Sequence, residues 1–261
     1  MPVWENTYHL PNKGRCENFQ LTFNEKLGLI QQKDIFYTNY QDVNYNFITN
    51  PPGYSEYANS QGDCYINRII KLLDNKKFLQ VLEIGAGSSY VAQGLKPAID
   101  YQLCTLLDPA LIDEDLDKIR IINDYFPCAK VGNQKFDLIY SINTLEHIIN
   151  PGEFLINLRE NITEQSMLLF IFPDIENQFK IGDLGALIHE HINYFSYKSA
   201  CKLFQLCGFY IENIIKANDE ITVLCRKNEE QNISNEIKSS KSLNQDKIKI
   251  KDNAEAKTKS E

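Results

Sequence analysis

No stretch of this chain is apolar enough to cross a bilayer. The longest uninterrupted run, Met167 to Phe172 (MLLFIF), is a fraction of the roughly 20 residues that a spanning helix requires. The first residues, MPVWENTYHLPNKGRC, lack the charged start and apolar stretch of a secretion signal. Seven cysteines, at 16, 64, 104, 128, 201, 207 and 225, are odd in number, scattered and never spaced C-x-x-C. That pattern argues against a disulfide framework or a four-cysteine zinc site, and for reduced thiols in a cytoplasm. Basic charge is also short. Lys and Arg number 27 against 35 Asp and Glu, a net charge of −8, and no lysine/arginine block lies in the part expected to fold. A nucleic-acid phosphate backbone is therefore excluded as the main partner, because it needs a basic surface. Histidine is scarcest among the groups that titrate near neutrality: His9, His147, His189 and His191. There is no internal repeat.

What is present supports a packed core: 43% of the 261 residues are apolar and 11% aromatic. Three zones follow. Residues 1–76 are rich in Tyr and Asn, carry turn signals such as TNPPGY (49–54) and show little clean periodicity. Residues 77–226 alternate short apolar runs with helical patterns. Residues 227–261 are of mixed charge with almost no aromatics, too polar to offset their ordering entropy, and read as a disordered tail. Within the middle zone, 78–84, 101–107, 118–122, 136–142, 167–172, 209–215 and 220–226 read as strands, several of them apolar throughout, as expected of strands covered on both faces. Asn150 and Pro151 mark one helix start; Ser196 marks another, which Gly208 should stop. Strands alternating with helices predict an α/β fold with a doubly wound, Rossmann-like sheet.

In such sheets ligands sit beyond the carboxyl ends of the strands. VLEIGAGSS (81–89) ends the first of them in a Gly-x-Gly turn, where Gly85 and Gly87 let a ligand approach the backbone. Asp108 closes the second strand about 20 residues on, where an acid can accept both hydroxyls of a ribose. Tyr90 occupies the place where a dinucleotide fold wants a third small residue, and Glu83 would repel phosphate. Glu83 suits instead a ligand carrying an ammonium and a sulfonium. These residues point to S-adenosylmethionine.

VLEIGAGSS, LLDP (106–109), FDLIYSINTLEHIINPGEFLINL (136–158) and GFYIENI (208–214) together resemble the class I S-adenosylmethionine-dependent methyltransferases. The resemblance spans roughly residues 77–226 and implies a seven-stranded sheet whose last strand is antiparallel. It implies that Glu83, Gly85, Gly87 and Asp108 contact the cofactor, that Asp124 sits near the adenine amino group with Tyr125 beside the ring, and that Ser141 and Asn143 face the methionine part and the substrate. Ser88 and Ser89 stand where the family commonly has another glycine.

The acceptor side rests on the histidines. His147, in NTLEHI at the mouth of the fourth strand, reads either as a participant or as structural support. In LIHEHINYFS (187–196) an extended backbone would point His189 and His191 one way and Glu190 the other, as a proton-transfer chain or as two metal ligands without an evident third. The segment resembles that of sugar C-methyltransferases, which implies His191 as catalytic base with Glu190 nearby; their cysteine-rich zinc region has only Cys16 and Cys64 to match it here, and their further carboxy-terminal domain only the charged tail. The expected acceptor is a small polar molecule, a nucleotide-linked or phosphorylated sugar of the capsule or lipopolysaccharide type, methylated on oxygen or carbon. The alternatives are an unrelated phosphorylated metabolite or quinone-type precursor, or a non-catalytic cofactor-binding subunit. Residues 1–76 would form a cap over the acceptor, with Tyr37, Tyr40, Tyr45, Tyr54 and Tyr57 stacking on it or packing the cap, and with Trp4, Tyr8 and His9 in a segment that folds over the site or frays.

Overall fold

Each of the seven apolar stretches becomes a strand of one sheet. In a computed structural model of the chain, the described residues are 2–3, 15–16, 19–35, 51–74, 76–111, 114–185, 187–217 and 219–228. Trp4, Tyr8, His9, Tyr37, Tyr40, Tyr45 and the tail from 229 onward lie outside them.

Two short strands, β1 (Pro2–Val3) and β2 (Arg15–Cys16), pair with each other. A hairpin follows, β3 (Leu21–Asn24) and β4 (Leu29–Gln32), then helix α1 (Glu56–Leu73). The main fold runs β5 (Gln80–Ile84), α2 (Tyr90–Ile99), β6 (Leu103–Leu107), β7 (Ile119–Ile122), β8 (Phe136–Ile142), α3 (Pro151–Leu158), β9 (Ile162–Pro173), α4 (Ile175–Ile181), β10 (Asn193–Tyr194), α5 (Tyr197–Leu206), β11 (Phe209–Ala217) and β12 (Glu220–Lys227). The large sheet is ordered β11-β12-β9-β8-β5-β6-β7. Strands β5 to β9 run parallel to one another, and the last strand in the chain, β12, runs antiparallel to both β9 and β11. The antiparallel last strand is the arrangement the resemblance implies.

Burial explains the apolar runs. Along β5, Leu82 and Ile84 enter one core cluster while Val81 enters the other, so the strand is covered on both faces. The helix boundaries follow their capping residues. Asn150 accepts from the Glu153 N–H with Pro151 in the first turn, and Ser196 forms a reciprocal box with Ser199. Gly208, at φ +77°, closes the end of α5.

Helix α1 shows the opposite case. Its zone has little clean periodicity by eye, yet Ala58, Gly62, Tyr65, Ile66, Ile69 and Leu73 fall on one buried face, and the Ser55 hydroxyl caps the start by accepting from the Ala58 N–H. Polar residues around that face mask the pattern. The helix packs beside α2 in the layer covering β5 and β6.

The chain leaves β5 toward β6 and β7, then returns to β8 on the other side of β5. The reversal opens a crevice at the carboxyl ends of β5 and β8. A second, three-stranded sheet, β10-β4-β3, carries the amino-terminal hairpin to the segment that holds His189, Glu190 and His191.

Candidate active site

The loop after β5 is shaped by what its glycines must avoid. Gly85 has φ +74°, and a Cβ there would lie 2.0 Å from Thr144 Oγ1. At Gly87, φ is +62° and a Cβ would meet Pro51 Cβ at 3.0 Å. Both positions therefore require glycine for backbone conformation and for close approach. The Gly87 N–H donates to Asp108 Oδ2 at 2.9 Å, and the Ala110 N–H donates to Asp108 Oδ1 at 2.7 Å. One carboxylate thus ties the end of β5 to the end of β6. Burial raises the Asp108 pKa, and these two amides pull it back by favouring the charged form.

Glu83 lies beneath the loop, 1% exposed, and accepts a hydrogen bond from the Tyr140 hydroxyl at 2.7 Å. Burial pushes its carboxyl up to about 8, against the Tyr140 bond and with a smaller push from Asp108. Without a ligand the neutral acid is the stable form at pH 7. An arriving cation would favour ionisation, because it supplies the opposite charge that burial removed. Ser88 and Ser89 are buried on the outer side of the loop, where the Ser88 hydroxyl donates to the Pro52 carbonyl. Gly53, Tyr54, Ser88, Ser89, Tyr90 and Gln93 line a hollow there.

The other expected cofactor residues follow or end β7 and β8, in different states. Asp124 is half-buried, with one oxygen accepting from the Tyr125 N–H at 2.9 Å, and Tyr125 is exposed. Ser141 is buried and spends its hydroxyl proton on the Ile84 carbonyl at 2.8 Å. Asn143 is exposed at the mouth of β8 with φ +48°. Its amide donates to the Tyr65 hydroxyl at 3.0 Å, and Tyr65 donates in turn to Glu220, which also pairs with Arg68 at 2.8 Å. Helix α1 and the last strand thus hold Asn143 in place.

The second half of the site is built from two segments. One is the helical turn Leu145–His147 after β8; the other is the loop ahead of β10. His147 and His191 meet with ring centroids 5.0 Å apart, and Tyr194 stands 6.4 Å from the His191 ring. Burial, with His191 adding to it, holds His147 well below the usual imidazole range, so it is neutral at pH 7. Glu146 is 2% exposed, its Oε1 is 3.8 Å from His147 Nε2, and burial pushes its carboxyl up to about 8. Burial also raises the pKa of Glu190, whose carboxylate lies 3.9 Å from His189 Nε2.

Here the expected geometry is corrected. The segment is not extended: the His191 N–H returns to the Ile188 carbonyl at 3.2 Å, closing a turn through His189 and Glu190. The turn buries His189 and sends His191 toward His147 instead of alongside His189.

Two residues that the motifs did not mark hold this half together. The Gln32 amide lies within 2.8 Å of the His189 and His191 carbonyls and 3.1 Å of the Ile188 carbonyl. The Asn193 amide reaches the Ile148 carbonyl at 2.6 Å, with the Leu145 and Glu146 carbonyls at 3.3 and 3.4 Å. The Ile192 N–H adds a bond to the Glu146 carbonyl at 2.8 Å. The only sequence signal was the position of Asn193 two residues after His191.

The family model of the methyltransferase domain matches residues 58–214. The chain belongs to that family, the class I S-adenosylmethionine-dependent methyltransferases, with S-adenosylmethionine as cofactor. A malonyl-acyl-carrier-protein O-methyltransferase of Acetivibrio thermocellus is 26% identical over 133 residues, which are 48% of this chain and 47% of that protein. The chain thus spans about half the length of this curated relative. Among solved structures, the PH0226 protein from Pyrococcus horikoshii OT3 aligns with a TM-score of 0.57 at 14% identity, over 74% of this chain and all of that one (100%). A DhpI–SAH complex aligns with a TM-score of 0.53 at 14% identity, over 73% and 94%. These structures share the fold. Among the described residues no helix is long and apolar enough to cross a membrane.

Proposed function

We propose that the protein transfers the methyl group of S-adenosylmethionine to a small polar acceptor, a nucleotide-linked or phosphorylated sugar of the kind used in surface polysaccharides. The observation that carries this reading is the meeting of His147 and His191 just after β8, at the carboxyl ends of the sheet's parallel strands. In the proposed arrangement Gly85 and Gly87 admit the amino-acid part of the cofactor, and Asp108 adds ribose hydroxyls to its two backbone bonds. Glu83 ionises in answer to the ligand's cationic charge, while Asp124 and Tyr125 flank the adenine. Ser141 supports the loop through Ile84, and Asn143 faces the reacting groups. The acceptor oxygen or carbon attacks the methyl carbon in line, the carbon–sulfur bond breaks, and S-adenosylhomocysteine leaves uncharged at sulfur. His191 takes the acceptor's proton, with Glu190 beside it. The hairpin belongs to an amino-terminal cap and backs the acceptor end of the site through Gln32.

The test is a mass-spectrometric screen for label transfer from methyl-deuterated S-adenosylmethionine to nucleotide-linked sugars and phosphorylated polysaccharide precursors. A labelled sugar is the expected result, and its fragmentation separates oxygen from carbon. A second reading comes from the Acetivibrio relative, which is named for O-methylation of a malonyl group carried on acyl-carrier protein. A carboxylate acceptor is already ionised and needs no base. Under that reading a malonyl thioester takes the label and His191→Ala retains transfer. Under the first, the substitution slows transfer by about 10²–10⁴-fold.

A further inference from the structure

We infer that Glu146, His147 and His191 form a binding site for a first-row divalent transition metal, at the acceptor end of the crevice. One ligand atom from each of the three lies within 4.8 Å of the others. Two imidazoles and a carboxylate are a donor set for zinc, cobalt, manganese or iron, whereas magnesium and calcium favour all-oxygen sites. A tetrahedral zinc with bonds of about 2.0–2.1 Å sets its donors about 3.3 Å apart, so the three side chains close in by modest rotations.

Three features beyond proximity support the site. Glu146 is 2% exposed, and its Oε2 is buried without a hydrogen-bond partner. An oxygen so placed costs free energy unless something coordinates it. His147 also hydrogen-bonds the Glu190 backbone, the outer contact that commonly orients a metal-ligating imidazole. Finally, the two ligand-bearing segments are clamped: the Asn193 amide and the Ile192 N–H both bind the 145–148 turn, so the donors are gathered before any ion arrives. Three protein ligands leave a coordination position for water or substrate, and both histidines are partly exposed.

The site deepens the proposed function and rests on it for its role. A metal at this place would take an oxygen of the acceptor and increase its acidity, favouring oxygen over carbon as the methylated atom. With the ion bound, His191 serves as a ligand and the acceptor's proton leaves to solvent; His191 is the base of the proposed function in the metal-free chain.

The test separates metal binding from transfer. Purified full-length protein, stripped with a chelator, is titrated with Co²⁺ and with Zn²⁺, and S-adenosylmethionine affinity is measured on the same samples. The expected result is one ion per chain, with visible cobalt bands of a low-symmetry nitrogen and oxygen site. Affinity should fall by more than the 10–100-fold typical of losing an outer contact in Glu146→Gln and in His191→Ala, both still binding cofactor. Chain that binds cofactor but neither ion overturns the site and leaves the methyltransferase reading standing. Equal metal affinity in the variants overturns it as well. Metal binding with no cofactor binding supports the site and instead removes the proposed function.

Discussion

The two halves of the crevice are assembled differently. On the glycine-loop side, Glu83, Gly85 and Gly87 are near neighbours in sequence, and Asp108 reaches them from the adjacent strand through one hydrogen bond. The histidine side draws on residue 32, on the turn at 145–148 and on the loop at 188–193. Its parts are joined by side-chain amides bonding to backbone carbonyls up to 159 positions away. The first half is a local motif at the carboxyl end of a central strand. The second exists only because the fold delivers distant segments to one place. Substitutions on the first side should therefore damage cofactor binding, and substitutions on the second should damage transfer with binding intact.

The largest effect is expected at Gly85. In Gly85→Ala the new methyl group collides with Thr144 while the backbone must keep a positive φ. The loop shifts, cofactor binding by calorimetry falls below detection, and the conformational penalty alone is about 1–3 kcal/mol in a denaturant titration. If the variant binds normally, the close approach at Thr144 does not shape the cofactor site.

Asn193→Ala probes the other side. It leaves the Ile148 carbonyl without its side-chain donor and takes a second contact from the Leu145 and Glu146 carbonyls, at a cost of about 1–3 kcal/mol. Displaced histidines should lower kcat by up to about 100-fold while the cofactor Kd stays unchanged. A loss of cofactor binding equal to the loss of transfer would erase the distinction between the halves.

The sharpest test is a pH profile of the ligand-free protein. Glu83 has a folded pKa of about 8 against an ordinary 4.5. Between those values the folded state holds a proton that the unfolded state has lost. The Glu83 contribution to stability is therefore most favourable below about 4.5, declines as pH rises by at most about 1.4 kcal/mol per unit, and levels off above about 8. Glu83→Gln should flatten this part of the profile in urea titrations at pH 5 and pH 8. An identical slope in the variant would show that Glu83 is not the group responsible. Wild-type affinity for S-adenosylmethionine should rise over the same range, because the cation favours the ionised acid.

Much of the fold was legible in the sequence because its signals are short-range. An apolar run such as 136–142 can hardly be anything but a strand buried on both faces, and Asn150 and Ser196 satisfy amides only three residues away. Helix α1 was not legible, since Asn59, Gln61, Asp63, Asn67 and Arg68 interrupt the apolar positions of its inner face. Motif and resemblance together led to Glu83, Gly85, Gly87 and Asp108, and the fold gathers them. They do not reveal that Glu83 is neutral without a ligand, because that follows from burial under a loop, which outweighs the hydrogen bond donated by Tyr140 from 57 residues away.

By itself, then, the sequence determined the strand order of events along the chain, the turn that needs two glycines, and the acid placed to meet it, since each depends on neighbours within a few residues or on a family pattern. Only the tertiary structure decided which histidines share a site. The turn at 188–191 takes His189 into the core and brings His191 to His147 and Glu146, and Gln32 and Asn193 secure that choice. The physical reason is that backbone carbonyls carry no residue identity: which amide will satisfy them is set by packing, and packing is written in no single stretch of the chain.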